Sequence, residues 1–299
     1  MLTRVVEQVF GGSPAPSRGR PFDLTRPARR LLITGAAGTV ATLLLPWLQR
    51  TALMLRGLDR RPVTMPGLES HRSDLRSAEQ TDSAASGQDA ILHLAAVPSE
   101  AGVEALLDDN AVAVAQMLQA AVRQGVGRIV FASSMHVLGM YSRRDAIDEC
   151  SAPRPDSHYA ASKLHGEALC RLYAEKHGLQ ITCLRLGHVV ATLDEAEPAS
   201  WISPEDVAQL VVTALQRSGP PFEIFNAVAD YPGAALQRSR AEAYGYRCRN
   251  PGEPYADALA RVARMWPTDP VARERRGATF ASASTGSHGQ DGQDGQSGI

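Results

Sequence analysis

The chain has 299 residues, 44% of them hydrophobic and 21% charged, which is enough apolar material for a sizeable core in one large or two small domains. Its 31 Lys and Arg residues oppose 32 Asp and Glu, a net charge of -1 that gives neither the basic field of a nucleic-acid binder nor an acidic tail. Cys150, Cys170, Cys183 and Cys248 lie far apart with no CxxC pair and no metal-ligand spacing, which predicts a reducing, cytoplasmic setting and no metal site. No apolar run approaches the roughly 18 residues of a membrane helix, and Glu7 interrupts the short apolar stretch behind Met1, so neither a membrane span nor secretion is expected.

Residues 1–28 carry Gly11, Gly12, Pro14, Pro16, Pro21 and Pro27 among several arginines and have no sustained apolar period, which predicts a disordered extension. An organelle transit peptide is the rival reading, against which stand the acidic residues and the lack of a long amphipathic helix. Short apolar runs then alternate with helical patterns. Leu31–Ile33, Leu53–Leu55, Ala90–Leu92, Ile129–Phe131 and Ile181–Leu184 read as buried strands. Val40–Gln49, Asn110–Arg123 and His158–His177 read as helices, with Pro46 bending the first and Trp47 and Leu48 facing the core. Strict alternation predicts an α/β fold, a parallel sheet covered on both faces. Arg143–Arg144 and Arg273–Arg276 read as solvated surface charge, and residues 281–299, rich in Gly, Ser, Gln and Asp, as a disordered tail.

Behind the first strand comes Thr34-Gly35-Ala36-Ala37-Gly38-Thr39-Val40-Ala41, a GxxGxxA turn opening into a helix. Such a turn brings backbone close to a pyrophosphate and aims helix N-terminal amides at it. Asp59 stands at the end of the second strand, where a carboxylate accepts from both ribose hydroxyls; this favours NAD over NADP, although Arg60 and Arg61 beside it would attract a 2'-phosphate. The pattern predicts a Rossmann-type, doubly wound parallel sheet over residues 29–191, with a small C-terminal substrate-binding cap from 192 to 280 that completes the fold.

Tyr159-Ala160-Ala161-Ser162-Lys163 opens the helix that starts at His158, and its spacing of four puts phenol and ammonium on one face. A nearby cation favours the ionised phenol, a physical route to a usable base. Ser134 ends the fifth strand, so all three side chains are expected at the C-terminal edge of the sheet, beside the cofactor crevice.

These residues resemble the extended short-chain dehydrogenase/reductases, the NAD-dependent epimerase/dehydratase family, over about residues 30 to 280. Within it the chain is most similar to the uronate dehydrogenase group, through Arg128–Ser134 followed by His136 and Gly139, Arg154-Pro155-Asp156-Ser157, Ala199–Ser203, and Asp269-Pro270-Val271 to Gly277, Thr279 and Phe280. The resemblance implies Tyr159 as proton acceptor, Lys163 holding the nicotinamide ribose and lowering the phenol's pKa, Ser134 bonding the reacting oxygen, and Asn110 supporting a proton relay. It implies Gly35, Gly38, Thr39 and Val40 around the pyrophosphate, Asp59 at the adenosine ribose, Asp74 and Leu75 at adenine, Leu94, Ala95 and Ala96 along the cofactor's middle, and His188 near the nicotinamide. His136 and, in Pro98-Ser99-Glu100, Ser99 become substrate contacts. Two positions depart from the pattern: Met135 replaces an Asn, and Ala196 stands where the group has an Arg for the substrate carboxylate.

The function expected is NAD-dependent oxidation of a sugar or sugar-acid hydroxyl, with a small-molecule partner and a homo-oligomer as a further expectation. One alternative is a nucleotide-sugar epimerase or dehydratase. Against it stand the short region after the last core strand and Met135-His136 in place of a dehydratase's Asp-Glu. The other is a non-catalytic, NAD(P)-binding regulatory protein, a reading opposed by the intact Ser134, Tyr159 and Lys163.

Overall fold

The computed structural model describes residue 24 and residues 27–97, 103–195, 199–234 and 236–276. Most of the expected N-terminal extension, the tail 281–299, Ser99 and Ala196 lie outside the described residues.

The apolar runs form β1 (Arg30–Thr34), β2 (Met54–Asp59), β4 (Ala90–His93), β5 (Arg128–Ser134) and β6 (Gln180–Leu186). Two further strands complete the sheet: β3 (Leu68–Arg72) at one edge and β9 (Phe222–Ala227) at the other. The order is β3-β2-β1-β4-β5-β6-β9, with every neighbouring pair parallel. This is a Rossmann-type, doubly wound sheet. The chain winds outward from β1 to β3 and then crosses to β4 on the other side of β1, so a crevice opens over the carboxyl ends of β1 and β4.

Period-two alternation explains why both faces are apolar. Leu31 and Ile33 of β1 pack with α1 (Thr39–Leu48) and α5 (Pro204–Gln216), while Leu32 packs on the opposite face with α2 (Ala78–Ala85), α3 (Ala113–Gln124) and α4 (His158–His177). Pro46 sits in the last turn of α1 without ending it, and Leu44, Leu45 and Leu48 are buried. The helix expected from Asn110 begins as a π-helical turn, Leu107–Val112, before continuing as α3. Ser157 caps α4, its hydroxyl accepting from the Ala160 amide at 3.0 Å, and Gly178 ends it in the left-handed conformation at φ 73°.

After β6 the chain forms a two-residue pair, β7 (His188–Val189) with β8 (Trp201–Ile202), before α5 and β9 return it to the sheet. Helices α6 (Tyr255–Met265) and α7 (Pro270–Glu274) follow. Trp201, Ala229, Tyr231, Tyr255 and Ala258 make a separate small core in this part. The arginine clusters read as surface charge are corrected in part: Arg143 is 2% exposed, and Arg276 lines the main cavity described below. The C-terminal segment folds back here, the Arg143 amide donating to the Glu274 carbonyl at 2.8 Å, so Arg143 is buried by a long-range pairing while Arg144, Arg273 and Glu274 stay exposed. No helix among the described residues is long and apolar enough to cross a membrane.

Beneath the crevice, Glu167 of α4 receives both Nε and Nη2 of Arg185 on β6 at 2.9 Å, and the Ser133 hydroxyl donates to the same carboxylate. Both charged side chains are nearly inaccessible to solvent. Removing one member of such a pair leaves a buried charge without its counter-charge, at a cost of about 3–5 kcal/mol. Glu167→Ala is therefore expected to lower the unfolding free energy in urea by about that amount. Glu167→Leu combined with Arg185→Met should recover most of it. A single-variant loss below about 1 kcal/mol would show that the pair does not hold α4 to the sheet.

Candidate active site

The turn after β1 is shaped by a close approach of backbone to backbone. Gly35 has φ 70°, and a Cβ there would stand 2.6 Å from both the Cα and the N of Ala95, so no other residue fits without moving the loop after β4. The Gly35 and Ala36 amides donate to the Leu58 carbonyl at 2.9 and 3.2 Å, and the Gly38 amide to the Gly35 carbonyl at 2.9 Å. Gly38 is the N-cap of α1 and offers no side chain to the first-turn amides, which leaves Thr39 and Val40 at an uncapped helix N-terminus facing the crevice.

Two adjoining cavities of about 360 and 630 Å³ share Gly35, Gly38, Arg61, Leu94 and Ala96. The smaller is lined by Asp59, Asp74, Leu75 and Ala95, the larger by Thr39, Val40, Ser134, Met135, His136, Tyr159, Lys163 and His188. A continuous groove therefore gathers every described residue singled out from the sequence except Asn110, which lies behind its wall. Asp59 accepts from the Ala37 amide at 3.0 Å and the Arg61 amide at 2.9 Å, while the Arg61 guanidinium reaches back to the Ala37 carbonyl. Asp74 forms a forked pair with Arg76, which holds its carboxyl below the usual range.

At the other end, burial pushes the Tyr159 phenol up to about 12, against which its hydrogen bond to Ser134 works. Lys163, one turn on, is buried; its Nζ lies 5.7 Å from the centre of the Tyr159 ring and donates to the Ala132 carbonyl at 2.8 Å. Burial pulls that ammonium down to about 8. In the protein alone, burial thus outweighs the expected help from Lys163 to the phenol. Asn110, on the π-helical turn, accepts from the Val97 amide at 2.8 Å and donates to the Ser162 hydroxyl at 2.9 Å; Ser162 in turn donates to the Tyr159 carbonyl at 2.7 Å. The amide thereby links the loop after β4 to the first turn of α4.

His136 meets the Tyr159 ring edge-on, with centroids 6.4 Å apart, and its Nδ1 lies 2.7 Å from Asp156 Oδ2. Asp156 is inaccessible to solvent and fills space that a side chain at Gly139 would need, since a Cβ there would overlap its carboxylate. Met135 lines the cavity and packs with Leu138, Ile147 and Val228. His188 is exposed at the cavity wall, its amide bonded to the Ser200 carbonyl at 2.8 Å.

Sequence reasoning missed Ser162, Asp156 and Arg276. Ser162 had a local signal, since on a helix it falls one position before Lys163 and three after Tyr159. Asp156 sits beside a helix cap, where an acid is ordinary, and Arg276 comes from far along the chain. Among the described residues no group of three or more His, Cys, Asp or Glu is arranged to hold a metal.

Residues 31–200 match the model of the NAD dependent epimerase/dehydratase family. Uronate dehydrogenase of Pseudomonas putida is 30% identical over 264 residues, which span 87% of this chain and 98% of that protein. L-arabinose 1-dehydrogenase (NAD(P)(+)) of Haloferax volcanii is 32% identical over 219 residues, 64% of this chain and 84% of that one. Among solved structures, a variant of uronate dehydrogenase from Agrobacterium tumefaciens complexed with NAD is similar with a TM-score of 0.76 at 27% identity, covering 85% of this chain and 97% of its own. With the glycine turn, the parallel sheet and the Ser-Tyr-Lys set in one groove, the chain belongs to the NAD dependent epimerase/dehydratase family.

Proposed function

We propose that the protein is an NAD-dependent dehydrogenase that oxidises a CH–OH carbon of a sugar or sugar acid. The observation that carries this reading is the hydrogen-bonded Ser134–Tyr159 pair, set in the same groove as an uncapped helix N-terminus and the Gly35 turn.

The residues present fit a dinucleotide. The Gly35 bend and the first-turn amides of α1 suit a pyrophosphate, Asp59 a ribose diol, and Asp74 and Leu75 an adenine ring. Leu94, Ala95 and Ala96 would lie along the middle of the cofactor, with Lys163 and His188 at the nicotinamide end. NAD held there supplies the hydride acceptor and, in its oxidised ring, a positive charge near the phenol. Tyr159 Oη takes the proton of the substrate hydroxyl, and Ser134 Oγ holds the reacting oxygen beside it. The Lys163 ammonium is the chain's own charge for stabilising the phenolate, and Asn110 positions the Tyr159 turn through Ser162. His136, oriented by Asp156, faces the hydroxyl-rich part of the substrate; Ser99 is assigned the same kind of contact.

Because burial opposes ionisation of the phenol, the oxidation rate should rise with pH between about 6 and 9, as the population of phenolate grows. Tyr159→Phe should lower kcat by about 10²–10⁴-fold and flatten that pH dependence, while the Kd for NAD stays within about threefold. Retained turnover would refute the assignment of the base.

Asp59 separates the two cofactors by charge. In Asp59→Ala, NAD affinity measured by fluorescence titration should fall about tenfold or more, and NADP should bind relatively better beside Arg60 and Arg61. An unchanged NAD/NADP ratio would place the ribose elsewhere.

A further inference from the structure

Arg276 follows α7 on a segment clamped to the loop after β5. Ser142 and Arg275 form an antiparallel bridge, the Arg276 amide donates to the Tyr141 carbonyl at 3.1 Å, and Arg275 donates to the Met140 carbonyl at 2.9 Å. This brings Arg276 into the wall of the cavity that holds Ser134, His136 and Tyr159. Its Nη2 donates to the carbonyls of Asp145 at 2.7 Å and Arg143 at 3.2 Å, which fixes its plane. The Tyr255 hydroxyl is a further neutral partner. Its Nε is buried and has no hydrogen-bond partner among the described residues.

The charge balance around this side chain is one-sided. Asp145 is the acid acting on it, but one of that carboxylate's oxygens accepts from the Ser142 amide, and Arg143 adds a second positive charge nearby. No Asp or Glu is among the described residues lining the larger cavity, whose Lys and Arg are Arg61, Lys163 and Arg276. Arg61 is engaged at the glycine turn and Lys163 beneath Tyr159. Only Arg276 comes from the segment against the loop beyond Ser134, away from the cofactor groove. With Asp145 opposed by Arg143, positive charge remains at the cavity wall, and a planar guanidinium fixed by backbone carbonyls is suited to a carboxylate.

We infer that Arg276 receives a carboxylate of the substrate and makes the enzyme selective for sugar acids over neutral sugars. The inference rests on the dehydrogenase reading above and adds a specificity-determining residue to it. A sugar phosphate offers the same kind of anion, so the test includes both.

The test compares glucuronate, glucose 6-phosphate and glucose as substrates with NAD for the full chain and for Arg276→Gln and Arg276→Lys. The wild-type protein should favour glucuronate. The ratio of kcat/KM for glucuronate over glucose should fall at least tenfold in Arg276→Gln and less in Arg276→Lys, a pattern that a purely structural clamp does not produce. Calorimetric titration of the NADH-loaded protein with glucuronate gives a readout without turnover, and its Kd should weaken at least tenfold in Arg276→Gln. An unchanged ratio and unchanged Kd would overturn the inference while leaving the dehydrogenase reading intact. Preference for glucose 6-phosphate would overturn the carboxylate assignment. If no sugar is oxidised the dehydrogenase reading fails, and the binding titration alone then decides whether Arg276 holds the anion.

Discussion

The contact between the Gly35 turn and the backbone of Ala95 is the constraint on which the groove depends. The order in which strands are added reverses between β1 and β4, and the loops leaving those two parallel strands must pass each other at backbone distance for a crevice to remain above them. The absence of a side chain at Gly35 permits that approach, and the Leu58 carbonyl secures it by accepting from both Gly35 and Ala36. Asp59 then lies one residue past the anchoring carbonyl, with its carboxylate on the Ala37 amide. Turn, strand end and the Asp59 carboxylate are thus one hydrogen-bonded unit, and a disturbance at any of the three reaches the others.

Electrostatics organise the opposite end of the groove. Burial disfavours charge on Tyr159 and Lys163 alike, pushing the phenol up to about 12 and the ammonium down to about 8. The neighbouring imidazole of His93, bonded to Thr34 at 2.8 Å and stacked on Phe131, is driven down to about 3 by the same burial and stays neutral. The phenol resists ionising until further positive charge arrives, which links the proposed proton transfer to occupancy of the cofactor groove. The Glu167–Arg185 pair below is charged but self-contained, so it supports α4 without adding net charge to the cavity.

What was legible in the sequence is what local periodicity and spacing encode. The helix His158–His177 matches its expected bounds because Ser157 caps it and Gly178 stops it, both through local chemistry. The glycine turn and the Tyr159–Lys163 spacing are equally local. Strand β9 escaped notice because Phe222–Ala227 is interrupted by Glu223 and Asn226, both buried against the segment that follows, where Arg240, Tyr244 and Gln237 bond them. Asn110 was placed on a regular helix, whereas a π-helical turn carries it and allows contact with both Val97 and Ser162. Asp156 meets His136 from 20 residues away and Arg276 meets Arg143 from 133, so both acquire their surroundings only once the chain has folded. Composition and period carry no record of such pairings.

The central claim is that a hydrogen leaves a sugar carbon as hydride while its hydroxyl proton goes to the phenol. Mass spectrometry of the nicotinamide product, after incubating the protein with NAD and a hexuronate deuterated at its carbon-bound positions, tests this most directly. The account predicts NADH one deuterium heavier, formed in step with the oxidised acid. Unlabelled NADH, or sugar conversion with no reduced cofactor released, would contradict it.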